Sequence, residues 1–341
     1  MGIGSNGKIC DIIREILLDK QAVCSYGAKT ELSMEGGRII STEPFYAYIK
    51  IAEGCSNNCT YCAIPSIRGK YRSRRMEDIV KEARWLAENG VTELVVVAQD
   101  TTRYGEDIYG KSMLPELLTA LCEIDGFKWI RTLYCYPERI TDELLDVIAK
   151  EDKLVKYLDM PIQHCNKTIL KRMNRHGDRE TLTALIKKIR EKIPNVTLRT
   201  TLITGFPGET EEQFEELCEF VKEIRFERLG CFAYSPEEGT PAEKFEDQVP
   251  LKDRERRAEI IMEEQMIISD SFNEAALDSE VEVVCEGFDR YAECYYGRSQ
   301  ADAPEIDGKI FFLSEDKVRV GEYVKVKIDD TMDYDLIGSK M

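Results

Sequence analysis

The sequence is poor in histidine, poor in positive charge relative to negative charge, and free of long apolar runs. It has two histidines among 341 residues, and its 47 Lys and Arg stand against 64 Asp and Glu, for a formal net charge of −17. No apolar run approaches the roughly 18 residues of a membrane-spanning helix, and no charged-then-apolar leader opens the chain. We therefore expect a cytoplasmic protein that neither spans a membrane nor is secreted.

The shortage of positive charge also bears on the partners of the protein. A protein that binds nucleic acid through its phosphates presents a basic surface, whereas a strongly acidic chain repels phosphates and attracts basic proteins. The overall charge therefore argues against nucleic acid as a partner. The local basic run from Arg68 to Arg75 keeps nucleic acid open as an alternative.

Cysteine, in contrast, is plentiful, and three of the twelve cysteines stand close together. Cys55, Cys59 and Cys62 have the spacing C-x3-C-x2-C, directly after an apolar-alternating run (45–51) that Gly54 ends. Thiolates are the standard ligands of iron–sulfur clusters. A short loop with three thiols can hold three irons of a cubic cluster and leave the fourth iron open.

No fourth thiol or imidazole follows these cysteines at the short spacing of a zinc site. The next cysteine is Cys122, and the two histidines are His164 and His176. A tetrahedral zinc site usually takes its ligands from nearby positions. The spacing therefore favours a cluster with one open iron. The alternatives are three buried structural cysteines, or a zinc site completed from a distant part of the chain.

The run from Glu53 to Cys62, with Tyr61 directly before the third cysteine, resembles the signature of the radical S-adenosylmethionine (SAM) superfamily. The longer run GCSNNCTYCAIPSIRGKYRSR resembles a narrower family, the methylthiotransferases. The resemblance implies a [4Fe-4S] cluster held by Cys55, Cys59 and Cys62, whose open iron chelates the amino and carboxylate groups of SAM. It also implies that Tyr61 lies near the adenine.

The other nine cysteines are scattered without metal-ligand spacing. They are Cys10, Cys24, Cys122, Cys135, Cys165, Cys218, Cys231, Cys285 and Cys294. A long, charge-rich chain of this kind is not a small disulfide scaffold, so we expect small buried apolar side chains in a reducing compartment.

Strand-like apolar runs alternate with helix-period stretches six times between residues 45 and 249. Serial strand-then-helix units predict a parallel sheet with helices outside, and six units are too few for a full eight-fold barrel. We therefore expect an α/β fold with an open six-stranded (βα)6 partial barrel, which the family resemblance also implies. The barrel follows a polar connector, residues 19–44.

A charged amphipathic helix is predicted over 250–276, and short strands separated by glycines follow in 277–341. This pattern predicts a small five-stranded OB-like barrel, and it resembles the TRAM module that ends methylthiotransferases. In the same family, residues 1–18 resemble the end of an N-terminal domain that binds a second [4Fe-4S] cluster. Cys10 matches none of that domain's ligands, so we expect the second cluster, and complete activity, only together with that domain.

Active sites of such barrels lie at the C-terminal ends of the strands. Polar or glycine-rich segments follow the second, fourth, fifth and sixth strands, at 99–105, 161–165, 205–210 and 235–239. The resemblance assigns Gln99 to the methionine part of SAM and Gly205 with its neighbouring backbone to the adenine and ribose. Arg199 is a candidate partner of the SAM carboxylate, because arginine forms paired hydrogen bonds with carboxylates; a structural ion pair is the alternative. No catalytic side chain is assigned.

Two features favour the family branch that modifies a ribosomal protein. Residues 277–341 contain sixteen Asp and Glu against eight Lys and Arg, which suits a basic protein better than RNA. The segments QDTTRYG (99–105) and GCFAYSPEEGTPA (230–242) resemble the same branch.

That branch adds a methylthio group to the β-carbon of an aspartate in a basic small-subunit ribosomal protein. It implies SAM as cofactor and a flavodoxin- or ferredoxin-type protein as reductant, and we expect a monomer. One alternative is the same chemistry on an adenosine of transfer RNA. An alternative of another class is a non-catalytic metal-binding interaction module.

Overall fold

The computed structural model describes residues 1–19, 22–31 and 34–341. Two sets of strands organise these residues. The open set is β1 (Tyr46–Lys50), β2 (Glu93–Val97), β3 (Trp129–Thr132), β4 (Tyr157–Asp159), β5 (Thr197–Thr204) and β6 (Arg228–Ala233). The closed set is β7 (Glu280–Asp289), β8 (Cys294–Arg298), β9 (Ile310–Leu313), β10 (Tyr323–Met332) and β11 (Asp335–Lys340). A further antiparallel pair of two-residue strands joins Ala52–Glu53 to Arg72–Ser73.

The helices of the described residues surround and connect these strands. They are α1 (Ile9–Asp19), α2 (Ile64–Arg68), α3 (Met76–Glu88), α4 (Glu106–Tyr109), α5 (Leu114–Cys122), α6 (Asp142–Lys150), α7 (Lys167–Arg172), α8 (Arg179–Lys192), α9 (Glu211–Ile224) and α10 (Leu251–Ala275). Short 3-10 helices occur at Ile3–Lys8, Lys29–Glu31, Thr101–Arg103, Pro137–Arg139 and Ala242–Lys244. None of the helices in the described residues is both long and apolar enough to cross a membrane.

The six open strands stand side by side in chain order. β1 pairs parallel with β2 and β2 with β3, while β4 pairs parallel with β5 and β5 with β6. A parallel bridge between Ile130 and Leu154 joins the two halves, and the Cys135 N–H donates to the Asp159 carbonyl at 2.8 Å. Within the described ranges β6 does not pair with β1. The predicted open (βα)6 partial barrel is therefore confirmed.

Side chains of the open strands alternate between two environments, because successive residues of a strand point to opposite faces. On β1, Ala47 and Ile49 are fully buried in the core that the helices share. Tyr46, Tyr48 and Lys50 lie on the other face, which is the inside of the open barrel. The apolar half of each strand thus fixes the helices, and the other half is free to build a site.

The closed strands form a complete barrel in the order β8-β9-β11-β10-β7. Its interior is filled by apolar side chains: Val283, Cys285, Ile310, Phe312, Val318, Val324, Val326 and Ile328. All eight are buried. The predicted five-stranded OB-like barrel is confirmed.

Buried charges join the closed barrel to the open one. Glu93, the first residue of β2, pairs with Arg131 at 3.0 Å and with Arg298 at the end of β8, and all three side chains are buried. The segment after β8 continues into the mouth of the open barrel, where Asp302 pairs with Arg228, the first residue of β6, at 2.6 Å. The closed barrel therefore covers the N-terminal end of the open one.

The expectation that the nine scattered cysteines are buried is wrong for five of them. Cys10 on α1 and Cys24 on the connector are exposed, because both segments lie outside the packed cores. Cys218, Cys231 and Cys294 are half-buried. The remaining four are buried as predicted: Cys122, Cys135, Cys165 and Cys285.

Candidate active site

The three closely spaced cysteines lie on a loop whose two ends are held together. The paired two-residue strands Ala52–Glu53 and Arg72–Ser73 bracket this loop. Gly54, just before Cys55, has φ +76°, and a Cβ at this position would lie 2.4 Å from the Lys70 carbonyl oxygen. Glycine is required here because the returning chain passes directly against it.

The cysteine loop is also tied to the loops that follow other strands of the barrel. The Asn57 side-chain amide donates to the Asp100 carboxylate at 2.9 Å, just beyond β2. The Thr60 N–H donates to the Met173 carbonyl at 3.1 Å, and the Asn174 side chain donates to the Asn57 carbonyl at 3.1 Å, both just beyond α7. These bonds fix the position of the loop above the barrel.

The three thiols share one sheltered region. Cys55 and Cys59 are buried and Cys62 is half-buried. Burial raises the pKa of the Cys55 and Cys62 thiols, and repulsion from Cys59 raises both further. The three sulfur atoms are therefore close enough to interact electrostatically.

This donor set fits a multi-iron cluster better than a single ion. Across residues 1–19, 22–31 and 34–341, no three Cys, His, Asp or Glu side chains converge tightly enough to ligate one metal ion. A tetrahedral zinc site requires such convergence. In a cubic cluster each thiolate binds a different iron, so the thiols can stand further apart.

A cavity of about 680 Å³ opens beneath the cysteine loop, inside the open barrel. Its walls come from the cysteine loop, the ends of β1, β2 and β3, and the segment after β8. The lining residues are Tyr48, Lys50, Cys55, Cys62, Ile64, Val97, Ala98, Gln99, Leu133, Tyr134, Tyr136, Glu305 and Ile306. The cavity is large enough for a small-molecule ligand.

Gln99 supplies the most specific sign that this cavity binds a ligand. It lines the cavity together with Cys55 and Cys62, two residues beyond the end of β2. Its side-chain oxygen is buried and accepts no hydrogen bond within the described residues. An unsatisfied buried acceptor costs free energy, about 1–3 kcal/mol. A bound group with an N–H donor would remove this cost.

Tyr61 lies beside the cysteines but is not among the residues that line the cavity. Its hydroxyl is 3.4 Å from a guanidinium nitrogen of Arg175. Arg175 is buried and stacks on the ring of Tyr136 at 4.2 Å, and the Tyr136 hydroxyl is 3.5 Å from the Cys59 sulfur. A buried cation and a hydroxyl donor therefore stand next to the central cysteine.

Arg199 is engaged by carboxylates of the chain itself. It pairs with Asp159 at 2.8 Å and approaches Asp307 at 3.7 Å. It lines a second cavity, which Arg228 and Phe232 also line. The contacts of Arg199 correspond to the structural ion pair that the sequence left open as the alternative.

The structure gives Gly205 a different neighbour from the one predicted. A Cβ at this position would lie 2.4 Å from Cγ of Arg254 on α10, and φ is +67°. The Gly205 N–H donates to the Glu209 carboxylate at 2.9 Å. The close backbone approach that requires glycine is therefore made by α10.

Two groups of cavity residues were missed in the sequence. Tyr134 and Tyr136 directly follow β3, so the rule that sites follow strand ends would have found them. Lys50 closes β1 and was counted only as part of a strand. Glu305 and Ile306 belong to the C-terminal barrel, and no local signal connects that region with the cavity.

Residues 49–221 match the Radical SAM superfamily, and residues 279–340 match the TRAM domain. The chain is 49% identical over 340 residues to the ribosomal protein uS12 methylthiotransferase RimO of Clostridium tetani, covering 99% of this chain and 76% of that protein. The protein of the same name from Caldanaerobacter subterraneus is 49% identical over 339 residues, with 99% and 77% covered. A solved structure of the radical SAM methyltransferase TsrM from Kitasatospora setae covers 58% of this chain and 38% of its own, with 17% identity and a TM-score of 0.49.

Proposed function

This chain belongs to the RimO family of radical SAM methylthiotransferases, and we propose that it methylthiolates ribosomal protein uS12 at the β-carbon of an aspartate. The observation that carries the proposal is the joint placement of three interacting thiols and the unpaired Gln99 oxygen around one cavity. Membership of an enzyme family also replaces the alternative of a non-catalytic metal-binding module.

Cys55, Cys59 and Cys62 would hold the [4Fe-4S] cluster at the top of the cavity. When bound there, the cluster supplies the electron for the reductive cleavage of SAM. The Tyr136 hydroxyl is placed to donate a hydrogen bond to the Cys59 thiolate, and the buried charge of Arg175 offsets the negative charge of the thiolates.

Gln99 would accept a hydrogen bond from the methionine part of SAM, which satisfies its buried oxygen. Apolar side chains such as Val97 and Leu133 exclude water from the space below. Tyr61, Arg199 and Gly205 stay predictions as SAM contacts. Of these, Tyr61 is supported by its position next to Cys59.

The proposed division of labour follows the chain. Residues 45–249 form the radical SAM core, α10 within 250–276 connects it, and the acidic TRAM region 277–341 docks the basic substrate protein. A flavodoxin- or ferredoxin-type protein supplies electrons, and a second SAM supplies the methyl group. Sulfur would come through a second [4Fe-4S] cluster of the N-terminal domain that the family carries. A ribosomal protein substrate places the reaction in the cytoplasm.

The contacts of the basic run 68–75 weaken the transfer-RNA alternative. Arg68 lies 3.6 Å from the buried Glu53 carboxylate, and Arg72 donates to the Thr30 carbonyl at 3.1 Å. Arg74 is buried and pairs with Glu82 at 2.7 Å. Much of the positive charge in this run is therefore used inside the protein.

Anaerobic reconstitution with iron and sulfide tests the proposal. We expect about four irons at the Cys55–Cys62 site and release of 5′-deoxyadenosine from SAM on reduction. With the N-terminal domain present, uS12 should gain the mass of a methylthio group on one aspartate, measured by mass spectrometry. Modification of transfer RNA but not of uS12 would contradict the assigned substrate.

A further inference from the structure

The floor of the cavity is made by the C-terminal barrel. The segment between β8 and β9 enters the N-terminal mouth of the open barrel, and Tyr157, the first residue of β4, donates to Asp307 at 2.6 Å. Glu305 and Ile306, at the innermost part of this segment, line the same cavity as Cys55 and Cys62. The cavity therefore has one end in each domain.

The inner face of β1 gives the depth of this cavity. Lys50 lies at the cysteine end, where it pairs with Glu53 at 2.7 Å. Tyr46 lies at the opposite end, where its hydroxyl donates to the Glu305 carboxylate at 3.1 Å. Four residues of strand at about 3.3 Å each separate the two ends by roughly 13 Å. A cofactor bound at the cysteines therefore leaves the Glu305 end for another molecule.

Glu305 differs from the other carboxylates of its segment. Asp302 pairs with Arg228 at 2.6 Å, and Asp307 lies 3.7 Å from Arg199. Glu305 forms no ion pair within the described residues, and its side chain is exposed to the cavity. It also holds φ at +63°, a conformation that non-glycine residues rarely adopt. The segment thus presents one unbalanced negative charge to the cavity.

A carboxylate in such a place favours a cationic ligand. Tyr48, Leu133 and Ile306 line the same cavity and lower the local dielectric constant, which strengthens the attraction between opposite charges. SAM carries a positive charge, but the proposed function holds it at the cysteine end. The group that reaches Glu305 should therefore come from the substrate.

We propose that Glu305 binds a lysine or arginine side chain of the substrate polypeptide close to the modified residue. The C-terminal barrel then determines substrate choice from inside the reaction cavity, in addition to docking the substrate at its surface. This inference rests on the proposed function, since it takes uS12 as the substrate.

The test compares Glu305→Gln with Glu293→Gln. Glu293 lies in the exposed turn between β7 and β8 of the same barrel and also has positive φ, +53°, so the two changes match in charge and backbone. A hydrogen bond to a charged group contributes about 1.5–3 kcal/mol, so the KM for uS12 should rise about tenfold or more in Glu305→Gln. Glu293→Gln should stay within twofold. We expect kcat to change far less than KM, because Glu305 lies away from the cysteines.

A double-mutant cycle identifies the partner. Replacing the basic residues of uS12 that flank the modified aspartate by alanine, one at a time, should raise KM for the wild-type enzyme, and one of them should have no further effect on Glu305→Gln. The affinity for SAM is measured in parallel by equilibrium dialysis.

The outcomes separate the two proposals. If the two glutamine variants have the same KM for uS12 as the wild type, the role of Glu305 is refuted and the proposed function stands. If Glu305→Gln loses affinity for SAM and keeps its KM for uS12, the cation belongs to the cofactor and the inference is wrong. If the wild type with its N-terminal domain does not modify uS12, the proposed function fails, and the inference fails with it.

Discussion

The two barrels of this protein follow the same alternation of side chains but fill their interiors in opposite ways. The closed barrel is packed with apolar side chains such as Phe312 and Ile328, both almost fully buried. The open barrel has tyrosines and charged residues inside and keeps a cavity of about 680 Å³. The comparison suggests that the interior of the closed barrel serves stability and that of the open barrel serves chemistry.

Strand number explains the difference. A closed barrel of five strands is too narrow to hold anything but its own side chains, so apolar residues fill it. Six strands that do not close leave space inside and an open N-terminal mouth. The segment that contains Asp302 and Glu305 covers this mouth, so the closed barrel completes the open one.

Loss of the central cysteine should produce the largest effect. Cys59→Ala is expected to abolish cluster binding and all cleavage of SAM, because three thiolates leave no spare ligand for the cluster. The fold should survive, as judged by circular dichroism. Cys218→Ala, a half-buried cysteine on α9, is the control and should keep about four irons. A full cluster in Cys59→Ala would show that the ligands are wrong.

Breaking the buried charges between the barrels should have the next largest effect. Arg298→Ala removes a buried partner of Glu93 and should cost about 3–5 kcal/mol, because an unpaired buried charge remains. The free energy of unfolding in urea measures this cost. Arg290→Ala, in the exposed turn between β7 and β8, should change stability by less than about 0.5 kcal/mol. Equal stabilities for the two variants would contradict a joint structure of the barrels.

A matched pair of isoleucines separates packing from cavity lining. Ile328→Ala in the closed barrel should cost about 3 kcal/mol, because the side chain is fully buried and its removal leaves a cavity. Ile306→Ala, whose side chain is 42% exposed on the cavity wall, should cost less than about 1 kcal/mol. It should instead alter substrate turnover. The reverse order of stabilities would overturn the comparison.

Surface charge on the closed barrel should have the smallest effect. Reversing the exposed pair Asp329 and Asp330 to lysine should weaken uS12 binding up to about fivefold at low salt, since exposed ion pairs contribute less than about 1 kcal/mol. The difference should shrink at physiological salt because of screening. Glu215→Lys on the exposed side of α9 is the control. Tighter binding of transfer RNA than of uS12 by the wild type would contradict the choice of partner.

The amino-acid sequence by itself determined the features that depend on local pattern. The spacing of Cys55, Cys59 and Cys62 is a property of eight consecutive residues. Strand and helix periodicity predicted both barrels, because each element is amphipathic on its own. The last strand, β11, was not placed, since its residues Asp335–Lys340 show little apolar alternation and find their place between β9 and β10 only in the closed barrel.

Only the tertiary structure decided which distant residues share the cavity. Glu305 meets the cysteine region across about 250 positions of sequence, through buried charges whose partners no spacing reveals. The same reason applies to Arg199 and Gly205, whose type was noted correctly but whose neighbours, Asp159 and Arg254, come from other elements. A residue's chemistry is local, but the partner that satisfies its charge or fills its space is chosen by the packing of the whole chain.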